Sequence, residues 1–106
     1  MNFKHINYVL TVLTEGSITA ASKKLFVSQP ALSQTIKLIE QDLGAPIFDR
    51  STDPISLTYA GQRYVEAAQA MLDIDRNLRA EIAETKKEVH GRMRVGISSQ
   101  RGIQLL

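Results

Sequence analysis

The first part of the chain alternates apolar stripes with short polar breaks, a pattern typical of consecutive helices. Residues 3 to 15 place apolar side chains at helical spacing. Gly16 and Ser17 follow as a left-handed stop and an N-cap for a second, short helix. A turn leads to a third helix with Ser28 as its predicted N-cap, Gly44 as its stop, and a buried stripe at Leu32, Ile36, Ile39 and Leu43.

The segment after the third helix, APIFDRSTDPISLTYAG, predicts a two-stranded hairpin. Two short β-like runs, residues 47–50 and 55–57, flank the turn-forming cluster STDP. Thr58 then caps a fourth helix that we expect to reach residue 90. Three helices with a two-stranded wing and a long final helix define the expected fold, a mainly α winged helix-turn-helix with a linker helix.

The fourth helix carries an apolar stripe with a seven-residue period, which is typical of a helix that pairs with another helix. About 30 residues of helix far exceeds the mean of about 11 to 12, and a domain this small cannot cover it. The alternative is a helix packed wholly on its own domain. We predict a homodimer interface, interrupted by the polar positions Asp75 and Thr85, at Tyr64, Ala68, Met71, Leu78, Ile82 and Val89.

Composition narrows the class of protein without naming it. The chain has 106 residues, no cysteine, a formal net charge of +2 and an isoelectric point near 9.1. It contains no apolar run long enough for a membrane span and no signal-peptide pattern, so we expect a cytoplasmic protein. Residues 1–57 hold five basic and five acidic side chains. Charge alone therefore does not establish a partner.

The beginning of the third helix displays hydrogen-bonding side chains that carry no charge. Base edges in the major groove are recognised by side chains of this kind at a helix N-terminus, beside small apolar groups. The alternative is an ordinary solvated face. We predict that bases are read by Ser28, Gln29, Pro30, Ser33 and Gln34. Candidates for phosphate contacts are Ser17, Thr35, Lys37 and Arg50.

Several motifs together resemble one family. The run AASKKLFVSQPALSQTIKLIEQDLGAPIFDR, followed by LTYAG, is similar to the N-terminal domain of LysR-type transcriptional regulators. The resemblance implies a DNA-binding domain at residues 1–57, a linker helix at 58–90 that pairs antiparallel in a dimer, and the first strand of an effector domain at 91–106. It also implies that this chain is a fragment of a longer, tetrameric protein that binds a small effector. We expect no cofactor in the fragment itself.

Two positions depart from the family pattern. Gln34 stands where the family often has Arg, and the wing tip, often basic, is Asp53 followed by Pro54. An acidic tip repels phosphate, so we expect this wing to enter the minor groove less deeply than the wings of its relatives.

An enzyme and a protein-interaction module are the alternatives to a DNA-binding regulator. GISSQ has Gln100 where a nucleophile elbow requires glycine, and His5 and His90 are too far apart in sequence for a metal pair or a proton relay. We therefore expect no enzymatic activity. An interaction module in which the long helix is the working part stays open, because a fold does not fix a function.

Overall fold

The computed structural model describes the backbone of residues 1–92 and the side chains of residues 1–86. The elements are α1 (Phe3–Glu15), α2 (Ile18–Leu25), α3 (Gln29–Leu43), β1 (Phe48–Asp49), β2 (Ser56–Leu57) and α4 (Tyr59–Arg92). This order confirms the predicted winged helix-turn-helix with a long last helix. Residues 91 and 92 continue α4, and the rest of the segment 91–106, in which a strand was predicted, lies outside the described residues.

The predicted caps form as expected, because each supplies a partner to a free backbone group at a helix end. The Ser17 hydroxyl accepts from the Ala20 N–H at 3.1 Å, and the Ser28 hydroxyl accepts from the Ala31 N–H at 3.2 Å. The chain leaves α1 and α3 through left-handed residues, with φ of 82° and 90°, at Gly16 and Gly44.

Helices α1, α2 and α3 pack against one another and enclose the core. The core also takes side chains from the wing and from the start of α4, and its buried apolar members include Ile6, Val9, Val12, Ala21, Leu32, Ile36, Ile39, Ile47, Phe48 and Ile55. Phe3 and Leu43, which the spacing placed in the buried stripes, are exposed instead. They are the first residue of α1 and the last of α3, where the neighbouring helices no longer cover them.

The wing is an antiparallel pair with Phe48 opposite Leu57, and it is shorter than the sequence predicted. The outer residues of the predicted strands make hydrogen bonds to other parts of the domain. The Ile47 carbonyl accepts from the Thr58 N–H at 3.0 Å, and the Ile55 N–H donates to the Gly16 carbonyl at 2.9 Å. These bonds hold the wing against the helices.

Two polar side chains join the wing to the helices on either side of it. The Glu40 carboxylate of α3 accepts from the N–H groups of Ile47 at 2.8 Å and Phe48 at 3.3 Å. Thr58 caps α4 by accepting from the Gly61 N–H at 2.9 Å, and its hydroxyl lies 2.6 Å from the Pro46 carbonyl. The base of the wing is therefore tied to both α3 and α4.

The chain divides after Gln69 into two units, and α4 contributes to both. Tyr64 and Ala68 are only 4% and 0% exposed in the single chain. The prediction that these two residues line a dimer interface is therefore wrong, because they already pack in the core of the first unit. For the same reason the domain extends past the predicted boundary at residue 57.

Candidate nucleic-acid interface

The N-terminal turn of α3 presents the predicted base-reading side chains to solvent. Ser28, Gln29, Pro30 and Gln34 are exposed, and Ser33 is half-buried. Ser28 uses its oxygen in the helix cap, and its hydroxyl proton stays available to donate. Pro30 lies in the first turn, where its missing N–H removes no helical hydrogen bond. The tip thus combines amide and hydroxyl groups with one compact apolar ring.

The electrostatics of this tip come from the backbone. No acidic side chain lies in the first turn of α3, so the partial positive charge of the helix N-terminus is not neutralised there. Lys37 is exposed one turn beyond Gln34, and the acidic residues of α3 lie farther along the helix, at Glu40 and Asp42. The tip therefore favours an anionic surface without a cationic side chain in the tip itself.

Helical periodicity separates the predicted contacts into two sets. At about 100° per residue, Pro30, Gln34 and Lys37 lie within one narrow sector opposite the buried stripe. Ser33 borders that sector, whereas Thr35 lies on the opposite flank of the buried stripe and is also half-buried. Thr35 therefore does not share a face of α3 with Pro30, Gln34 and Lys37.

The two remaining phosphate candidates lie outside α3. Ser17 is half-buried at the beginning of α2, and Arg50 is exposed directly after β1. Both lie at the ends of elements, so short turns set their positions. The sequence placed Arg50 at the end of the first wing strand, whereas the structure places it at the start of the wing turn.

The wing turn is compact and acidic. The Asp49 carboxylate accepts from the Ser51 hydroxyl at 2.6 Å and from the Ser51 N–H at 3.0 Å, and these bonds lower the pKa of Asp49. The Thr52 hydroxyl donates to the Pro54 carbonyl at 2.9 Å. Asp49 and Asp53 are both exposed. Their two negative charges exceed the single positive charge of Arg50, the cationic side chain of this turn.

In residues 70–86, α4 exposes large apolar side chains four residues apart. Ile74, Leu78 and Ile82 are 68%, 53% and 50% exposed. Leu78 and Ile82 are among the predicted interface residues. Ile74 is not, because the seven-residue pattern passes through its neighbour Asp75. That aspartate instead pairs with Arg79 at 3.0 Å. Of the other predicted positions, Met71 is half-buried, and the side chain of Val89 lies outside the described residues.

Three exposed residues beside the α3 tip were not singled out from the sequence as functional. Lys23 and Lys24 occupy the last turn of α2, and Phe26 lies in the turn that leads into α3. The available signal was a pair of lysines followed by an aromatic residue immediately before Ser28. The helical pattern alone does not show that all three are exposed.

These features define a winged helix-turn-helix whose third helix begins with uncharged polar side chains. Residues 3–62 match the family described as bacterial regulatory helix-turn-helix protein, lysR family. The chain therefore belongs to the LysR family of bacterial regulatory proteins.

Two curated relatives match nearly the whole chain. The transcriptional regulator MetR of Haemophilus influenzae is 31% identical over 92% of this chain and 31% of its own length. The regulator BudR of Klebsiella aerogenes is 33% identical over 93% of this chain and 69% of its own length. The chain thus spans about a third of the length of MetR. These relatives are named as regulators, which confirms the prediction that the chain is not an enzyme.

A solved complex shares the fold. The BenM DNA-binding domain bound to catB site 1 DNA has a TM-score of 0.68 and 31% identity, over 86% of this chain and 95% of that domain. Within the part of the chain that the structure describes, no helix is long and apolar enough to cross a membrane. No group of three or more metal-ligating side chains occurs among the same residues.

Proposed function

We propose that the chain binds double-stranded DNA in a sequence-dependent manner and belongs to a cytoplasmic transcriptional regulator. The observation that carries the proposal is the exposed, uncharged tip of α3. In this proposal Gln29 and Gln34 bond base edges, Pro30 contacts a thymine methyl group, and Ser28 and Ser33 complete the surface. The DNA complex of the BenM domain, which has the same fold, supports the proposed binding to double-stranded DNA.

Phosphate contacts orient the domain without reading sequence. We assign them to Lys37 and Arg50, which are exposed, and to the Ser17 and Thr35 hydroxyls, which are half-buried. Because the wing turn is acidic, its approach to the minor groove is shallow. Most of the specificity then comes from α3.

The exposed apolar residues of α4 serve as the homodimer interface in this proposal. Ile74, Leu78 and Ile82 form a stripe whose exposure in water is unfavourable, and pairing with a second copy removes it from water. Two α3 helices then read an interrupted palindrome in successive major grooves. In a longer protein, an effector domain that binds a small molecule and a tetrameric assembly are further parts of the same proposal.

Fluorescence anisotropy tests the DNA-binding part. The chain should bind a labelled random-sequence duplex at low salt, and the affinity should fall steeply as salt rises. A duplex selected in vitro for tight binding then separates the two kinds of contact. Gln29→Ala should cost about 1 to 3 kcal/mol on the selected duplex and little on the random one. Lys37→Ala should weaken both duplexes alike and flatten the salt dependence.

Equal losses on both duplexes for Gln29→Ala would remove this residue from base reading. A chain that binds no duplex at any salt concentration would instead favour the interaction module. The assay therefore distinguishes a wrong residue assignment from a wrong function.

Light scattering tests the dimer. Leu78→Asp should yield monomers, because it places a charge from each copy in the apolar interface. Asn77→Asp is the matched control, since it adds the same charge at the adjacent exposed position. A Leu78→Asp variant that stays dimeric would show that another surface pairs the chains.

A further inference from the structure

The turn between α2 and α3 contains an aromatic residue in an unusual setting. Phe26 is 94% exposed, more than any other large apolar side chain among the described residues. Its backbone is left-handed, with φ of 59° and ψ of 41°. The Phe26 N–H donates to the Lys23 carbonyl at 3.3 Å, and the Val27 N–H donates to the Ser22 carbonyl at 3.0 Å. These bonds form a Schellman-type end to α2.

Folding stability does not account for phenylalanine at this position. The left-handed residue of such a helix end is usually glycine or asparagine, because a β-carbon clashes with the following carbonyl group. A buried aromatic ring would offset that strain, but this ring is in solvent. A smaller polar residue would satisfy the turn with less strain and less exposed apolar surface.

The position of Phe26 indicates what its ring contacts. It lies two residues before Ser28, so the chain passes directly from the ring into the tip that enters the groove. The major groove is about 12 Å wide, close to the diameter of a helix with its side chains, so the turn before the tip lies near a groove wall. That wall consists of deoxyribose, which is apolar, and phosphate. Exposed Lys23 and Lys24 flank the same turn.

We propose that Phe26 packs on a deoxyribose of the DNA backbone at the edge of the major groove, with Lys23 and Lys24 facing the adjoining phosphates. The contact is independent of sequence, and it fixes the depth and angle at which α3 enters the groove. Phe26 is thus a positioning residue for base reading by Gln29. This inference rests on the proposed DNA-binding function.

The experiment compares two variants at this residue. Phe26→Asn removes the ring and suits the left-handed backbone, whereas Phe26→Tyr keeps the ring and the strain. Affinity is measured by anisotropy on the random and selected duplexes, and stability by thermal unfolding. Phe26→Asn should lose about three- to tenfold in affinity on the random duplex and more on the selected duplex, because Gln29 is then also less well positioned. It should keep the wild-type salt dependence and unfold at the same or a higher temperature. Phe26→Tyr should bind like wild type.

The double variant of Lys23→Ala and Lys24→Ala tests the phosphate contacts. It should weaken both duplexes and reduce the salt dependence, since fewer counterions are released. Unchanged salt dependence in this variant would overturn the lysine assignment.

Three results would overturn the assignment of Phe26. Wild-type affinity of Phe26→Asn for both duplexes would show that the ring does not contact DNA, and would favour a protein partner for it. A loss confined to the selected duplex would indicate base contact rather than backbone contact. A lowered unfolding temperature accompanying the loss would show that the ring supports the fold. A wild-type chain that binds neither duplex would refute the proposed function itself, which the Phe26 variants alone cannot do.

Discussion

Gly61 is the position where a single added methyl group should be most informative about the fold. It lies in the first turn of α4, is buried, and donates its N–H to the Thr58 hydroxyl at 2.9 Å. A β-carbon here would overlap the Ile47 carbonyl oxygen and would come within 3.0 Å of the Ile47 carbonyl carbon. It would also approach the Leu57 side chain to 3.1 Å. Alanine therefore requires α4 to move away from the base of the wing.

The expected destabilisation follows from two opposing effects. Overpacking in a close-packed interior destabilises by about 1 to 3 kcal/mol, and overlap with a backbone atom belongs at the upper end, because no side chain can rotate away. Alanine regains about 0.5 to 1 kcal/mol over glycine within a helix. We expect Gly61→Ala to lower the free energy of unfolding by about 2 kcal/mol, or the midpoint of thermal unfolding by roughly 8 to 16 °C.

Urea and thermal unfolding followed by far-ultraviolet circular dichroism measure this change, since the chain has no tryptophan. Gly44→Ala is the matched control. An added β-carbon there meets nothing within 4 Å, but its φ of 90° is unfavourable for alanine, so we expect a loss of about 1 kcal/mol. If Gly61→Ala is as stable as wild type, or loses no more than Gly44→Ala, the close approach of α4 to Ile47 is not a constraint on the fold.

Three further substitutions test individual polar side chains. Glu40→Gln should lower the free energy of unfolding by about 1 kcal/mol, because an uncharged amide oxygen replaces the carboxylate that accepts two N–H groups at the base of the wing. Unchanged stability in urea unfolding would contradict this role. Ser28→Ala should lose about 1 kcal/mol through the missing helix cap, and wild-type stability would show that the cap is dispensable. Tyr64→Phe should match or exceed wild-type stability at neutral pH, because the Tyr64 hydroxyl is buried without a hydrogen-bond partner. Burial, and secondarily the charge of Asp42, raise the pKa of Tyr64 above its ordinary value of 10.0. Tyr64 therefore ionises first in the unfolded chain, and the wild type should lose stability as pH rises above 10. The phenylalanine variant should lose less stability over the same range.

The local elements of this protein were predictable because their signals lie within a few residues of one another. Ser17 and Ser28 cap helices whose first turns follow them directly, and Gly16 and Gly44 take a left-handed conformation that glycine adopts readily. The α3 tip was also visible in sequence, since its buried stripe and its polar turn belong to the same helix. The family resemblance rested on the same short motifs.

Contacts between distant segments decided the rest. The seven-residue stripe of α4 does not distinguish a core helix from a pairing helix, and only packing in the first unit shows that Tyr64 and Ala68 are buried while Leu78 is exposed. The wing was predicted too long because, in the observed register, Ile47 lies opposite Thr58, the cap of α4, and the Ile55 N–H donates to the Gly16 carbonyl instead of across the hairpin. Periodicity specifies which residues share a face, whereas the fold determines whether another part of the chain covers that face.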